Sequence, residues 1–232
     1  MRVAGVVAGL PAVGGPILLV VAIDEGHRFA AQAAVGTMLG VVGVALYVVV
    51  YAALARFGWP FALAGGWGAF GASVPVLRLV HVSAGWAFAI ATGACLAAAA
   101  LLPRHERSAL PHRPPRFDLP LRAVAAVIPI LAVTAAARTL GPHVTGVLAS
   151  FPVISPVLTV FTQIQRGPRE AVRLLRGFVI GFLAYGLFCL VVALTITRTT
   201  TALSFVAALV AALLAQLVLL QAPARAARNR TA

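Results

Sequence analysis

Ser155, Thr159, Thr162 and Arg166 are spaced i, i+4, i+7 and i+11, which is one face of a helix, with Gln163 beside them. Hydroxyls and an amide along one face of an apolar run can hydrogen-bond a polar solute or tie one helix to another. Pro152 and Ser155-Pro156 interrupt the head of this run, and Pro11 with Gly14-Gly15-Pro16 interrupts another at the same depth. Proline removes a backbone donor and clashes with the preceding turn, so both runs are expected to kink or unwind there. Ser155 is a fitting N-cap and Pro156 a fitting first helical residue, with Gly15-Pro16 the pair at that depth in the other run. Two half-helices would then aim free N–H groups and the positive ends of their dipoles at one level, which suits an anionic or neutral polar solute. The predicted binding set is Pro11, Gly14, Gly15, Pro16, Ser150, Pro152, Ser155, Pro156, Thr159, Thr162 and Gln163, with Arg138 as a cation near a helix end.

Other chemistries find no support in the sequence. The five acids, Asp24, Glu25, Glu106, Asp118 and Glu170, sit in connections or at helix edges, where none can relay protons or hold a cation in mid-membrane. His27, His81, His105, His112 and His143 are scattered without ligand spacing, and Cys95 and Cys189 stand alone in apolar runs. No GxSxG, HExxH, paired CxxC or Walker A pattern occurs. No enzyme, metal site or cofactor is expected, and an intramembrane enzyme acting on lipid is the weakest reading.

The elements that must position these residues follow from composition. The chain is 62% hydrophobic and 10% charged over 232 residues, whereas a soluble domain needs about 25% charged residues to cover its surface. Eight apolar stretches reach the ~20 residues a bilayer-crossing helix needs. They fall at 3–23, 29–55, 60–79, 82–102, 119–140, 143–164, 171–197 and 200–222. The fold class is therefore all-α, a polytopic transmembrane bundle of about eight helices whose principal partner is the lipid bilayer. The first stretch has the makings of a signal peptide, but Pro11 and Pro16 interrupt it and an internal segment repeats it, so it is read as a retained helix. Trp59, Trp67, Trp86 and Tyr51 are expected to include interface anchors.

That internal copy appears on sliding the chain by 141 residues without a gap. Gly5, Pro11, Gly26, Arg28, Gly36 and Gly40 then meet Gly146, Pro152, Gly167, Arg169, Gly177 and Gly181, and residues 3–52 show 14 identities in 50. Five spans separate equivalent points, and five is odd, so the copies should lie upside down to one another as an inverted repeat with paired broken helices. The arginines agree. Of the 18 basic residues, all arginine, 14 fall on one side and only Arg28, Arg78, Arg138 and Arg198 on the other. The arginine-rich side should be cytoplasmic, with both termini there. The net charge of +13 is thus topogenic, and no nucleic acid is expected as a partner.

The expected units are a first repeat at 1–102, a proline-rich cytoplasmic linker at 103–118 and a second repeat at 119–232. The second opens with a helix, 119–140, whose counterpart would precede Met1. An upstream start codon would supply it; otherwise a groove beside 3–23 would take lipid, a partner helix or a second copy in a homo-oligomer.

Thr145-Gly146-Val147-Leu148-Ala149-Ser150-Phe151-Pro152, preceded by Arg138-Thr139, resembles the GlpM family of small bacterial inner-membrane proteins. The likeness covers 121–197 with an echo at 3–52, and it implies a duplicated unit in a bacterial inner (plasma) membrane. The functional expectation is a small-solute transporter or permease with a midplane site between the two broken helices. The alternative is a non-transporting accessory protein that supports an envelope assembly.

Overall fold

The computed structural model describes residues 14–103 and 154–228, with side chains as far as Gln221. It holds α1 (Gly14–Asp24), α2 (His27–Leu54), a 3-10 turn (Ala55–Phe57), α3 (Trp59–Leu77), α4 (Ala84–Leu101), α5 (Ile154–Arg166), α6 (Pro168–Thr195) and α7 (Thr201–Arg228). Among the described residues five stretches are long and apolar enough to cross a membrane, namely His27–Phe57, Trp59–Leu77, Ala84–Leu101, Pro168–Thr195 and Thr201–Gln221. The described chain is therefore an all-helical bundle of membrane-spanning type, and the described helix ends fall within three residues of the sequence expectation except that of α7, which continues six residues past 222 to Arg228. The expected span at 119–140, the linker at 104–118 and the opening halves of 3–23 and 143–164 lie outside the described residues.

Two long helices form the centre. In α2 and α6, 61% and 50% of the most apolar window is buried, against 28%, 28% and 22% in α3, α4 and α7. The two pack on each other, and α4 lies against both. Gly36, Gly40 and Gly181 are buried here, letting backbones come close where lipid gives no hydrophobic drive for association.

Hydrogen bonds at both ends fix how α2 and α6 run. At one end His27 Nε2 lies 2.8 Å from Thr201 Oγ1, just after the end of α6. At the other, Tyr51 Oη donates to Gln163 Oε1 at 2.8 Å and Gln163 Nε2 donates to the Ala55 carbonyl at 2.9 Å, just before α6 begins. The start of α2 is therefore beside the finish of α6, and the helices are antiparallel. At the second end Arg176 also donates to the Leu102 carbonyl at 3.2 Å, which caps α4 and suits the negative end of its dipole.

The segments related by the 141-residue offset share their local structure. α2 and α6 each contain 28 residues and begin and end at equivalent positions. The turn before each is a glycine in the same conformation, φ 89° and ψ 170° at Gly26, φ 86° and ψ 171° at Gly167. An L side chain pays steric energy at such a φ, which accounts for glycine at both positions. Each turn folds a short helix back along its long one: α1 packs on α2 and reaches α7, whereas α5 packs on α6 and reaches α3.

Three expectations are corrected. Gly14, Gly15 and Pro16 belong to α1, so the chain is already helical there and any break lies before Gly14. Ser155 is inside α5, which includes Ile154, so it does not cap that helix; the hydrogen-bonding pattern of a helix tolerates proline in its first turn. Tyr51 is no interface anchor: it is fully buried, while Trp59, Trp67 and Trp86 are exposed at 41%, 38% and 68%.

Candidate functional site

The polar face of α5 is turned into the protein. Ser155, Thr159, Thr162 and Gln163 are 6%, 0%, 9% and 8% exposed, and Pro156 is buried beside them, whereas Ile164 on the other face is 59% exposed. The helix has 13 described residues, and at ~1.5 Å per residue it spans about two thirds of a ~30 Å hydrocarbon layer. Its polar face runs from Ser155 to the end of the bundle at Arg166, which is exposed.

Each threonine hydroxyl on the face is bonded within its own helix. Thr159 Oγ1 donates to the Ser155 carbonyl at 2.6 Å, and Thr162 Oγ1 donates to the Leu158 carbonyl at 2.7 Å. A threonine so placed has used its proton yet keeps acceptor lone pairs. Gln163 is different, because its amide bridges Tyr51 and the end of α2. Tyr47, one turn deeper on α2, is tilted 47° to the Tyr51 ring with centroids 5.7 Å apart. Its hydroxyl is buried without a hydrogen-bond partner.

At the other short helix, Gly14 and Gly15 are buried and Pro16 is exposed. Gly14 lies directly under the Tyr185 hydroxyl of α6, where a Cβ would collide with it. Tyr185 is 4% exposed, stacks on Phe188 with ring centroids 6.3 Å apart, and has a buried hydroxyl without a well-formed hydrogen bond. Its nearest polar company is the Cys189 thiol one turn on. Both cysteines are free and buried, as small apolar residues of the core. Among the described residues no cluster of His, Cys, Asp or Glu could hold a metal ion.

These placements bring together part of the predicted set. Ser155, Pro156, Thr159, Thr162 and Gln163 form one buried face; Gly14, Gly15 and Pro16 lie on α1; Pro11, Arg138, Ser150 and Pro152 lie outside the described residues. Over their described lengths α1 and α5 are not principal neighbours, because each packs along its own long helix, α1 on α2 and α5 on α6. The neighbours of α5 are accordingly α6 and α3, with Tyr51 and Ala55 of this wall meeting Gln163, and not Gly14–Pro16. Sequence reasoning missed the tyrosines of this wall. Their signal was available, since all three tyrosines of the chain, Tyr47, Tyr51 and Tyr185, fall inside apolar spans where a hydroxyl must be accounted for.

No known protein family, no curated protein and no solved structure matches this chain.

Proposed function

We propose that the chain is a small-solute permease of a bacterial inner membrane, built from two inverted repeats, with its path along the polar face of α5. The observation that carries this reading is the continuous buried face of Ser155, Thr159, Thr162 and Gln163 inside a bundle whose other interfaces are mainly apolar. The repeat is supported by the equal bounds of α2 and α6, the matching glycine turns and the antiparallel packing. Opposed copies of one unit can exchange roles across the membrane, which is the usual basis of alternating access. The site belongs at mid-membrane, the level of Gly14 and Ser155, with the α5 face as one wall. The duplicated unit is of the GlpM-like kind. It performs no reaction on its cargo, and its groups bind a polar solute that is neutral or anionic.

One observation favours a second reading, an accessory membrane component. Both the oxygen and the nitrogen of the Gln163 amide are engaged, by Tyr51 and Ala55, as in a dry tie between helices. Uptake into proteoliposomes of the full chain, against a panel of anions and neutral metabolites, decides between them. A permease raises the flux of at least one solute above empty liposomes, and Thr159→Val together with Thr162→Val cuts it about tenfold or more, as expected from two lost hydrogen-bond acceptors. Flux equal to empty liposomes across the panel leaves the accessory reading.

The orientation has its own test. Arg56, Arg166, Arg169, Arg173 and Arg176 cluster at the end of the bundle where Tyr51 meets Gln163, against Arg28, Arg78 and Arg198 at the other. The first end is cytoplasmic in this reading. Reporters fused after Leu102 and after Gln221 are expected to give cytoplasmic signals, and an external signal from either would reverse the assignment.

A further inference from the structure

Tyr47 holds a proton that nothing among the described residues accepts. Its side chain is completely buried on α2 and its hydroxyl has no hydrogen-bond partner. The ring cannot swing toward water, because it is wedged between Tyr51 and α3. A Cβ at Gly66 would come within 2.7 Å of two of its carbons. In a bilayer no solvent makes good such a deficit, so an orphaned donor is costly unless something from outside the chain fills it.

The surroundings define what that something carries. Gln163 ties the last turn of α5 to the end of α2, and each of these helices runs antiparallel to α6, so α2 and α5 point the same way. Tyr47 is one turn from Tyr51 toward mid-membrane, and Thr159 is one turn from Gln163 the same way, so the two share a level. Thr159 and Thr162 have given their protons to Ser155 and Leu158 and retain only acceptor lone pairs. Donor on one helix and acceptors on the other are complementary to a group that both accepts and donates, a hydroxyl or a carboxamide. Charge is unsuited. Among the described residues the one buried charged side chain is Glu170, in the first turn of α6 and 3.4 Å from Arg173, so an ion beside Tyr47 would lack a counter-charge at its own level.

We propose that an uncharged small molecule bearing hydroxyl or carboxamide groups binds between α2 and α5, accepting from Tyr47 and donating to Thr159 and Thr162. Gln163 and Tyr51 form the floor of this site toward the arginine-rich end. The assignment narrows the permease reading and rests on it only for passage of the bound molecule across the membrane.

The test uses the full chain with erythritol and acetamide as probes. In detergent, saturation-transfer NMR is expected to show contact with at least one of them. Tyr47→Phe, which keeps the ring packing, and Thr159→Val should each weaken it about fivefold or more, the worth of one neutral hydrogen bond. Ser73→Ala, a buried hydroxyl on α3 bonded to the Phe70 carbonyl, should leave it unchanged. In proteoliposomes, stopped-flow light scattering reads permeability to the same probes and to water. Binding without flux would keep the site and sink the permease. No saturation transfer to either probe, or equal transfer in wild type and Tyr47→Phe, would overturn the site. So would water permeability that depends on Tyr47 while neither probe binds, because the position then holds water alone.

Discussion

Gly14→Ala is expected to destabilise the protein by about 1–3 kcal/mol, the usual cost of forcing extra atoms into a packed core. The added methyl falls on the Tyr185 hydroxyl, and the ring carbon bearing it would stand 2.6 Å away. Tyr185 cannot yield readily, since its ring is held by Phe182 and Phe188 at centroid distances of 6.2 and 6.3 Å. Removing the hydroxyl alone, in Gly14→Ala with Tyr185→Phe, should recover only part of the loss because that carbon remains. Gly14→Ala with Tyr185→Leu should recover most of it. Reversible unfolding in detergent measures all three. A Gly14→Ala protein as stable as wild type would mean that α1 does not lie against α6 in this way.

The second large effect belongs to Gln163. Gln163→Leu removes the acceptor for a fully buried Tyr51 hydroxyl and one donor to the Ala55 carbonyl. Ala55 keeps a weaker bond from the Gly58 amide at 3.4 Å, whereas Tyr51 is left with nothing. An average hydrogen bond between membrane helices is worth about 0.6 kcal/mol, but an orphaned buried group costs about 1–3 kcal/mol. The second term should dominate here because Tyr51 has no route to water. The loss is therefore expected near the upper figure, and Tyr51→Phe added to Gln163→Leu should restore part of it. A double-mutant cycle on Tyr51 and Gln163 reads the coupling, expected at about 0.5–3 kcal/mol in favour of the pair. Strict additivity would show that the bond contributes nothing.

Hydropathy alone placed the described helices, because about 20 consecutive apolar residues have few uses outside a bilayer. The correspondence of α2 with α6 was legible too, since glycines mark backbone turns that the 141-residue offset aligns. Gly26 and Gly167 align in sequence and take the same positive φ in the fold. The inward turn of Ser155, Thr159 and Thr162 also came from spacing, because three hydroxyl residues on one face are poorly placed against lipid.

Which helix covers that face was not legible. Periodicity names the buried side of a helix and is silent on its neighbour, so only the tertiary structure set Tyr51 and Ala55, rather than Gly14–Pro16, against Gln163. The same silence hid the close approach of Gly14 to Tyr185. The usual contrast between core and surface is missing in lipid, where both sides of a helix are apolar. In α7 the buried side is Ser204, Ala208, Ala212 and Gln216, and the exposed side carries Leu203, Val206, Leu213 and Val218. Size and polarity, not hydrophobicity, separate the two faces, since small residues admit a neighbouring backbone while large apolar ones are at no disadvantage against lipid tails. Sequence thus determined which segments cross and which residues share a face. The pairing of faces depended on fit between particular side chains and glycines, which exists only once the helices have met.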